Sequence, residues 1–119
     1  MHELAVCQAL IAQVQEIAEQ HGARGVKAIR LLIGPLSGVE AGLLEHAYPL
    51  ASAGTIGEDA ELLIDHLPVR VKCQQCGTES DAEINRLICA RCGDYRTQLI
   101  SGDEMLLASV ELITETAAH

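Results

Sequence analysis

At 119 residues the chain has room for one ordinary domain, or for one small core carrying a metal-stapled appendage. Hydrophobic residues make up 49% of it but aromatics only 2%, with no Trp or Phe, so any core must be built from Leu, Ile, Val and Ala. A formal charge of -9, from 17 acidic residues against 8 basic ones, repels phosphate backbones and argues against a nucleic-acid binder, which needs clustered Lys and Arg.

No uninterrupted run of about 18 apolar residues is present, as a spanning helix would require. The N-terminus lacks the basic, apolar and small-residue regions of a signal peptide. The expectation is a cytoplasmic protein with no membrane partner. In that reducing compartment the five cysteines are read for metal or redox chemistry rather than for disulfides.

From Glu3 to about His21, Leu4, Cys7, Leu10, Ile11, Val14, Ile17 and Ala18 recur at three- and four-residue spacing, the mark of one helical face. Glu3 favours the first turn and Gly22 stops the helix. The run Val26 to Ile33 alternates Ile29, Leu31 and Ile33 on one side and ends at Gly34-Pro35, which predicts a strand. A second helix is expected from Glu40 to Ala53, with Leu43, Ala47 and Leu50 on its apolar stripe. Pro49 removes one backbone donor there and predicts a kink or break near Tyr48. Glu61 to Leu67 reads as a second strand, closed by Pro68. Met105 to Ile113 reads as a third, with Leu106, Ala108, Val110 and Leu112 alternating.

Between those last two strands lies Cys73-Gln-Gln-Cys76-Gly77, followed by Cys89-Ala-Arg-Cys92-Gly93, with twelve residues separating Cys76 from Cys89. In such a pair the backbone amides of a tight turn point at the sulfurs, and the glycine takes the left-handed conformation that closes it. Two such knuckles bring four thiolates to tetrahedral positions. Zinc is the default occupant. Iron of the rubredoxin type uses the same geometry but is ordinarily packed by aromatics, and here only Tyr95 is near in sequence. A thioredoxin-like dithiol fits less well, since neither pair opens a helix in a βαβ unit. Buried core thiols are a further alternative. A closed four-thiolate shell leaves no position for water or substrate, so the metal would be structural. The expected architecture is therefore α+β: two helices packed on a small three-stranded sheet, with an inserted zinc-ribbon-like module.

Met1-His2-Glu3 offers a terminal amine, a backbone amide and an imidazole that can chelate together in a nitrogen-rich plane suited to Ni(II) or Cu(II), with Glu3 adding an oxygen. Proton competition for those nitrogens makes such binding weaken on acidification. A bare His2 at a frayed terminus is the ordinary alternative.

The opening MHELAVCQAL, the segment LLIGPLSGVEAGLLEHAY, the double C-x-x-C module and the closing SGDEMLLASVEL together resemble, in this order, the HypA/HybF family of hydrogenase nickel-incorporation proteins. The resemblance covers essentially the whole chain. It implies a nickel metallochaperone that delivers Ni(II) cargo to the large subunit of a NiFe hydrogenase, stabilised by structural Zn(II). It also implies a HypB-type GTPase as partner and, in some members, urease maturation proteins; a homodimer is left open. The family's Met-His-Glu start falls on Met1, His2 and Glu3, and its zinc cysteines on Cys73, Cys76, Cys89 and Cys92. The implied division is a discontinuous nickel-binding α/β domain, residues 1–68 and 99–119, and a zinc-binding domain, residues 69–98. Where the family's second helix usually carries phenylalanines this chain has His46, Ala47 and Tyr48, and Pro49 interrupts it.

Glu40 is a further oxygen donor if its loop folds back beside the N-terminus; otherwise it favours the second helix through the helix dipole. Cys7 falls on the buried helical face and reads as a core thiol. His21, His46, His66 and His119 have no paired spacing and are expected in surface or capping roles. No Walker A loop, nucleophile elbow or open metal site with a nearby base occurs, so an enzyme is not expected. The competing class is a zinc-ribbon protein-protein adaptor without nickel transfer.

Overall fold

The computed structural model describes residues 2–114. Its elements run α1 (His2–Gln20), β1 (Ala23–Ile33), α2 (Ala41–Ser52), β2 (Glu61–His66), β3 (Val69–Cys73), β4 (Glu79–Ala82), β5 (Thr97–Ser101) and β6 (Met105–Thr114). They form two three-stranded sheets, of order β2-β1-β6 and β4-β3-β5. Among the described residues the backbone contacts separate one unit of residues 2–31, 39–64 and 107–114 from a second of residues 32–38 and 65–106. No helix among them is long and apolar enough to cross a membrane.

In the first unit α1 buries Cys7, Leu10, Ile11, Val14 and Ala18, the apolar face that the spacing predicts. It ends as expected, because Gly22 reaches φ 64 and its amide donates to the Glu19 carbonyl at 3.2 Å. β1 is the middle strand of its sheet and buries Val26, Ala28, Ile29, Leu31 and Ile33 while Lys27 and Arg30 stay exposed. Ile29, Leu31 and Ile33 share one side as the alternation predicts, whereas Val26 and Ala28 are buried on the opposite phase, so the inward side changes between Ala28 and Ile29.

The second helix departs from its expected stripe. α2 buries Leu44, Ala47, Tyr48 and Ser52, whereas Leu43 is 49% and Leu50 74% exposed. Both phases satisfy helical spacing, so packing against α1 decides between them. Leu44 faces the Cys7 thiol of α1 through its carbonyl at 3.5 Å. On the same buried side, the Tyr48 hydroxyl donates to the Gly57 carbonyl at 2.7 Å. Pro49 does not break the helix at Tyr48, since the element continues to Ser52. The missing Pro49 amide falls one turn from the end, where little helix remains to be lost.

β6 also departs from simple alternation. Leu106 and Ala108 are exposed, Ala108 and Ser109 are exposed in succession, and Val110 and Leu112 are half-buried. The inward phase therefore slips by one residue across Ala108-Ser109, so Leu106 and Ala108 do not share the face of Val110 and Leu112.

In the second unit β3 is the middle strand, antiparallel to both β4 and β5, with Val71 opposite Ser80 on one side and Leu99 on the other. The turn that ends β1 is fixed by a close backbone approach. The Gly34 amide donates to the Glu104 carbonyl at 2.8 Å, and Leu36 donates to the Gly102 carbonyl at 2.7 Å. A Cβ at Gly34 would lie 2.2 Å from the Gly102 oxygen. Only glycine fits.

Candidate metal centres

β3 delivers Cys73 at its last residue, and the chain then folds into the first of two matching turns. In that turn the Gln75 and Cys76 amides donate to Cys73 Sγ at 3.3 and 3.4 Å, and the Gly77 amide donates to the Cys73 carbonyl at 3.0 Å. In the second, Arg91 and Cys92 donate to Cys89 Sγ at 3.3 and 3.4 Å, and Gly93 to the Cys89 carbonyl at 2.9 Å. Gly77 and Gly93 sit at φ 76 and 77, the left-handed conformation that the pattern requires at each. Cys73 and Cys89 are buried, Cys76 and Cys92 exposed.

The two turns meet through their sulfurs. Cys73 Sγ lies 3.6 Å from Cys92 Sγ, and Cys76 Sγ lies 3.6 Å from Cys89 Sγ, and all four sulfurs fall within 4.8 Å of one another. A zinc ion bonded to sulfur at about 2.3 Å requires tetrahedral sulfurs roughly 3.8 Å apart. The cluster has that size. Its protonation also calls for a cation. Cys76 is pulled down to about 6 by the Thr78 hydroxyl, 3.2 Å away, and by the Thr78 backbone. Cys89 is lowered first by the Cys92 amide and, after burial opposes it, by the Arg91 amide. Cys92 is drawn down by a backbone hydrogen bond at Asp94 but is pushed up overall to about 12, chiefly by Cys73 and then by burial and Cys89. Four thiolates this close cannot all ionise unless a divalent ion sits among them.

Around the second knuckle, Asp94 accepts from the Arg96 amide at 2.7 Å and from its guanidinium at 3.0 and 2.8 Å. These bonds hold the Asp94 carboxyl below its ordinary range. The Thr97 hydroxyl donates to the Leu87 carbonyl at 2.7 Å. Tyr95 is 77% exposed, with the Arg96 guanidinium 5.8 Å from its ring centre. It does not pack the sulfurs as an aromatic core would.

A family model described as hydrogenase/urease nickel incorporation metallochaperone, HypA, matches residues 1–112. The chain belongs to the HypA family. It is 54% identical over 114 residues to a hydrogenase maturation factor HypA of Nitrosospira multiformis, covering 96% of this chain and 99% of that one. It is 40% identical over 112 residues to a HypA of Aquifex aeolicus, covering 94% and 97%. The solution structure of the Ni metallochaperone HypA from Helicobacter pylori superposes with a TM-score of 0.70 at 25% identity, covering 95% of this chain and 98% of that one. A second HypA solution structure gives 0.74 at 26%, covering 97% and 98%. As a member of this hydrogenase/urease nickel-incorporation family, the protein is a nickel metallochaperone with a four-cysteine site for structural zinc, and nickel is its cargo.

The N-terminal residues of this HypA lie in the first unit. His2 opens α1 and is exposed, and Glu3 is half-buried. Both line an open cavity of about 600 Å³ whose walls come from the first turn of α1 and from α2, including Leu43, His46 and Leu50. The Met1 amine lies outside the described residues, as does His119. Glu40 is the exposed N-cap of α2, with its carbonyl accepting from Leu44 at 3.0 Å and no side-chain cap bond. It does not appear among the residues lining the cavity.

Cys7 is fully buried in the HypA core, and burial first, then the Glu3 charge, raises its thiol above the ordinary range. It is an inert core thiol. His21 caps the end of α1 through Nδ1 and the Ile17 carbonyl at 2.9 Å, and His66 is exposed at the end of β2. His46 bonds the Gly42 carbonyl through Nδ1 at 3.2 Å. Its place in the cavity wall could not be read from the sequence, because it lies 44 positions from His2 and reaches that wall only through the packing of α2 on α1.

Proposed function

We propose that this HypA carries Ni(II) on His2 and Glu3, at the start of α1, and hands it to the large subunit of a NiFe hydrogenase. The observation that carries this reading is the division of donors. The four thiolates form a closed shell, while His2 and Glu3 line an open cavity in the other unit. A carrier must release its cargo, and a few nitrogen and oxygen donors at an accessible helix start exchange an ion more readily than four thiolates do. Imidazole nitrogen suits Ni(II), and the order of affinities along the divalent ions favours nickel over iron, manganese or magnesium at such a site.

In this reading residues 1–68 and 99–119 form the nickel-binding domain and residues 69–98 the zinc domain, with Cys73, Cys76, Cys89 and Cys92 as zinc ligands. The protein acts in the cytoplasm, with a HypB-type GTPase in the same delivery step and with urease maturation proteins as further recipients. Its task in this reading is to bind an ion and release it to an acceptor.

The test is nickel titration of the zinc-loaded protein and of His2→Ala, with both metals counted by elemental analysis. The expected result is one zinc in each and a loss of nickel binding of at least tenfold in the variant. Unchanged nickel binding with intact zinc would favour an adaptor that carries no nickel.

A further inference from the structure

We propose that His46 supplies a second imidazole to the nickel ion held at His2. The inference rests on the nickel reading above and deepens it. His46 stands on α2 and lines the same cavity as His2 and Glu3, so two exposed imidazoles and a carboxylate border one solvent-accessible space.

The hydrogen bond that His46 makes fixes which nitrogen is available. Its Nδ1 lies 3.2 Å from the Gly42 carbonyl oxygen, and a carbonyl can only accept, so Nδ1 carries the proton. In the neutral ring the lone pair is therefore on Nε2. Metal-binding histidines ordinarily donate their other ring N–H to a carboxylate or backbone carbonyl in this way, which orients the ring and raises the basicity of the ligating nitrogen. His46 is thus held in the tautomer that a metal needs, one residue before the buried Ala47 that anchors its turn of the helix.

The donors are not preassembled. Among the described residues the four thiols are the only group of three or more such ligand atoms within 4.8 Å of one another. Both His2 and His46 are exposed, so in this proposal the donors converge on the ion when it binds and separate when it leaves. A second imidazole also sharpens selectivity, because it adds affinity for nickel while adding little for magnesium or calcium, which prefer oxygen.

The test compares the full-length zinc-loaded protein with His46→Ala and His2→Ala, using nickel titration and X-ray absorption to count imidazoles on the bound ion. Zinc content and helical circular dichroism report folding, and His46 is exposed, so the substitution spares the core. The expected outcome is two imidazoles in the wild type and one in His46→Ala. The dissociation constant should rise by at least the roughly 10–100-fold that loss of an outer-shell partner costs. One imidazole and equal affinity in both would overturn the role of His46 while leaving nickel at His2. Full binding by His2→Ala would overturn the nickel site and this inference with it.

Discussion

The Cys7 sulfur of α1 lies 3.5 Å from the Leu44 carbonyl oxygen of α2, at the point where the buried faces of the two helices meet. Leu44 and Tyr48 turn inward beside it, and Leu43 and Leu50 are left on the side that borders the His2 cavity. The phase of one helix thereby produces both the core and the wall of the candidate nickel site.

Packing of that helix predicts opposite outcomes for two leucines. Leu44 is fully buried, so Leu44→Ala removes buried methyl groups and leaves a void, at a cost of about 2–5 kcal/mol. Leu50 is 74% exposed, so Leu50→Ala should change stability by no more than about 0.5 kcal/mol. Urea unfolding of the two variants checks this, and equal losses would show that the apolar stripe has been placed on the wrong phase.

Alkaline solution should weaken the helical core. Burial raises the Cys7 thiol above its ordinary 9.0, with Glu3 adding to the effect, and burial raises the Tyr48 hydroxyl above its ordinary 10.0. Both groups are neutral in the folded protein at a pH where the unfolded chain has already lost the proton. Their contribution is complete below pH 9.0 and is lost as pH rises past the ordinary values toward the raised folded ones. Cys7→Ala and Tyr48→Phe should each flatten the fall in unfolding free energy between about pH 9 and 11. An unchanged slope in both would count against buried ionisation as its cause.

Stripping the metal should melt the insert and spare the helices. Between residues 69 and 98 the buried apolar side chains are Val69, Val71, Cys73 and Cys89, too few to offset the entropy of ordering that segment. Metal binding supplies the remainder. With a strong chelator, amides of β3, β4 and β5 should lose hydrogen-exchange protection while those of α1 and β1 keep theirs. Retained protection in β3 after zinc has left would show that the strands hold themselves.

Much of this was legible in the residues alone. The double Cys-x-x-Cys-Gly pattern gave the metal cluster, because a knuckle is a local turn: its amides, sulfurs and glycine lie within five consecutive positions, from Cys73 to Gly77 and from Cys89 to Gly93. The face of α1 and the shared side of Ile29, Leu31 and Ile33 in β1 were equally local, being set by periodicity along one element. The family resemblance rested on motifs spread in order along the chain, and the match over residues 1–112 accords with it.

What the sequence could not decide was anything set by one element lying against another. Leu43 and Leu44 are neighbours of the same chemistry, and only the packing of α2 on α1, where Cys7 Sγ meets the Leu44 carbonyl, turns Leu44 and Tyr48 to the interior. The slip in β6 at Ala108-Ser109 is likewise invisible in a string of alternating apolar residues. His46 reads as an unpaired surface histidine until α2 is packed on α1, and then it borders the cavity of His2. Local spacing fixes which donors a turn brings together, whereas donors 44 positions apart meet only through helix phase, and phase is chosen by the burial of the whole core.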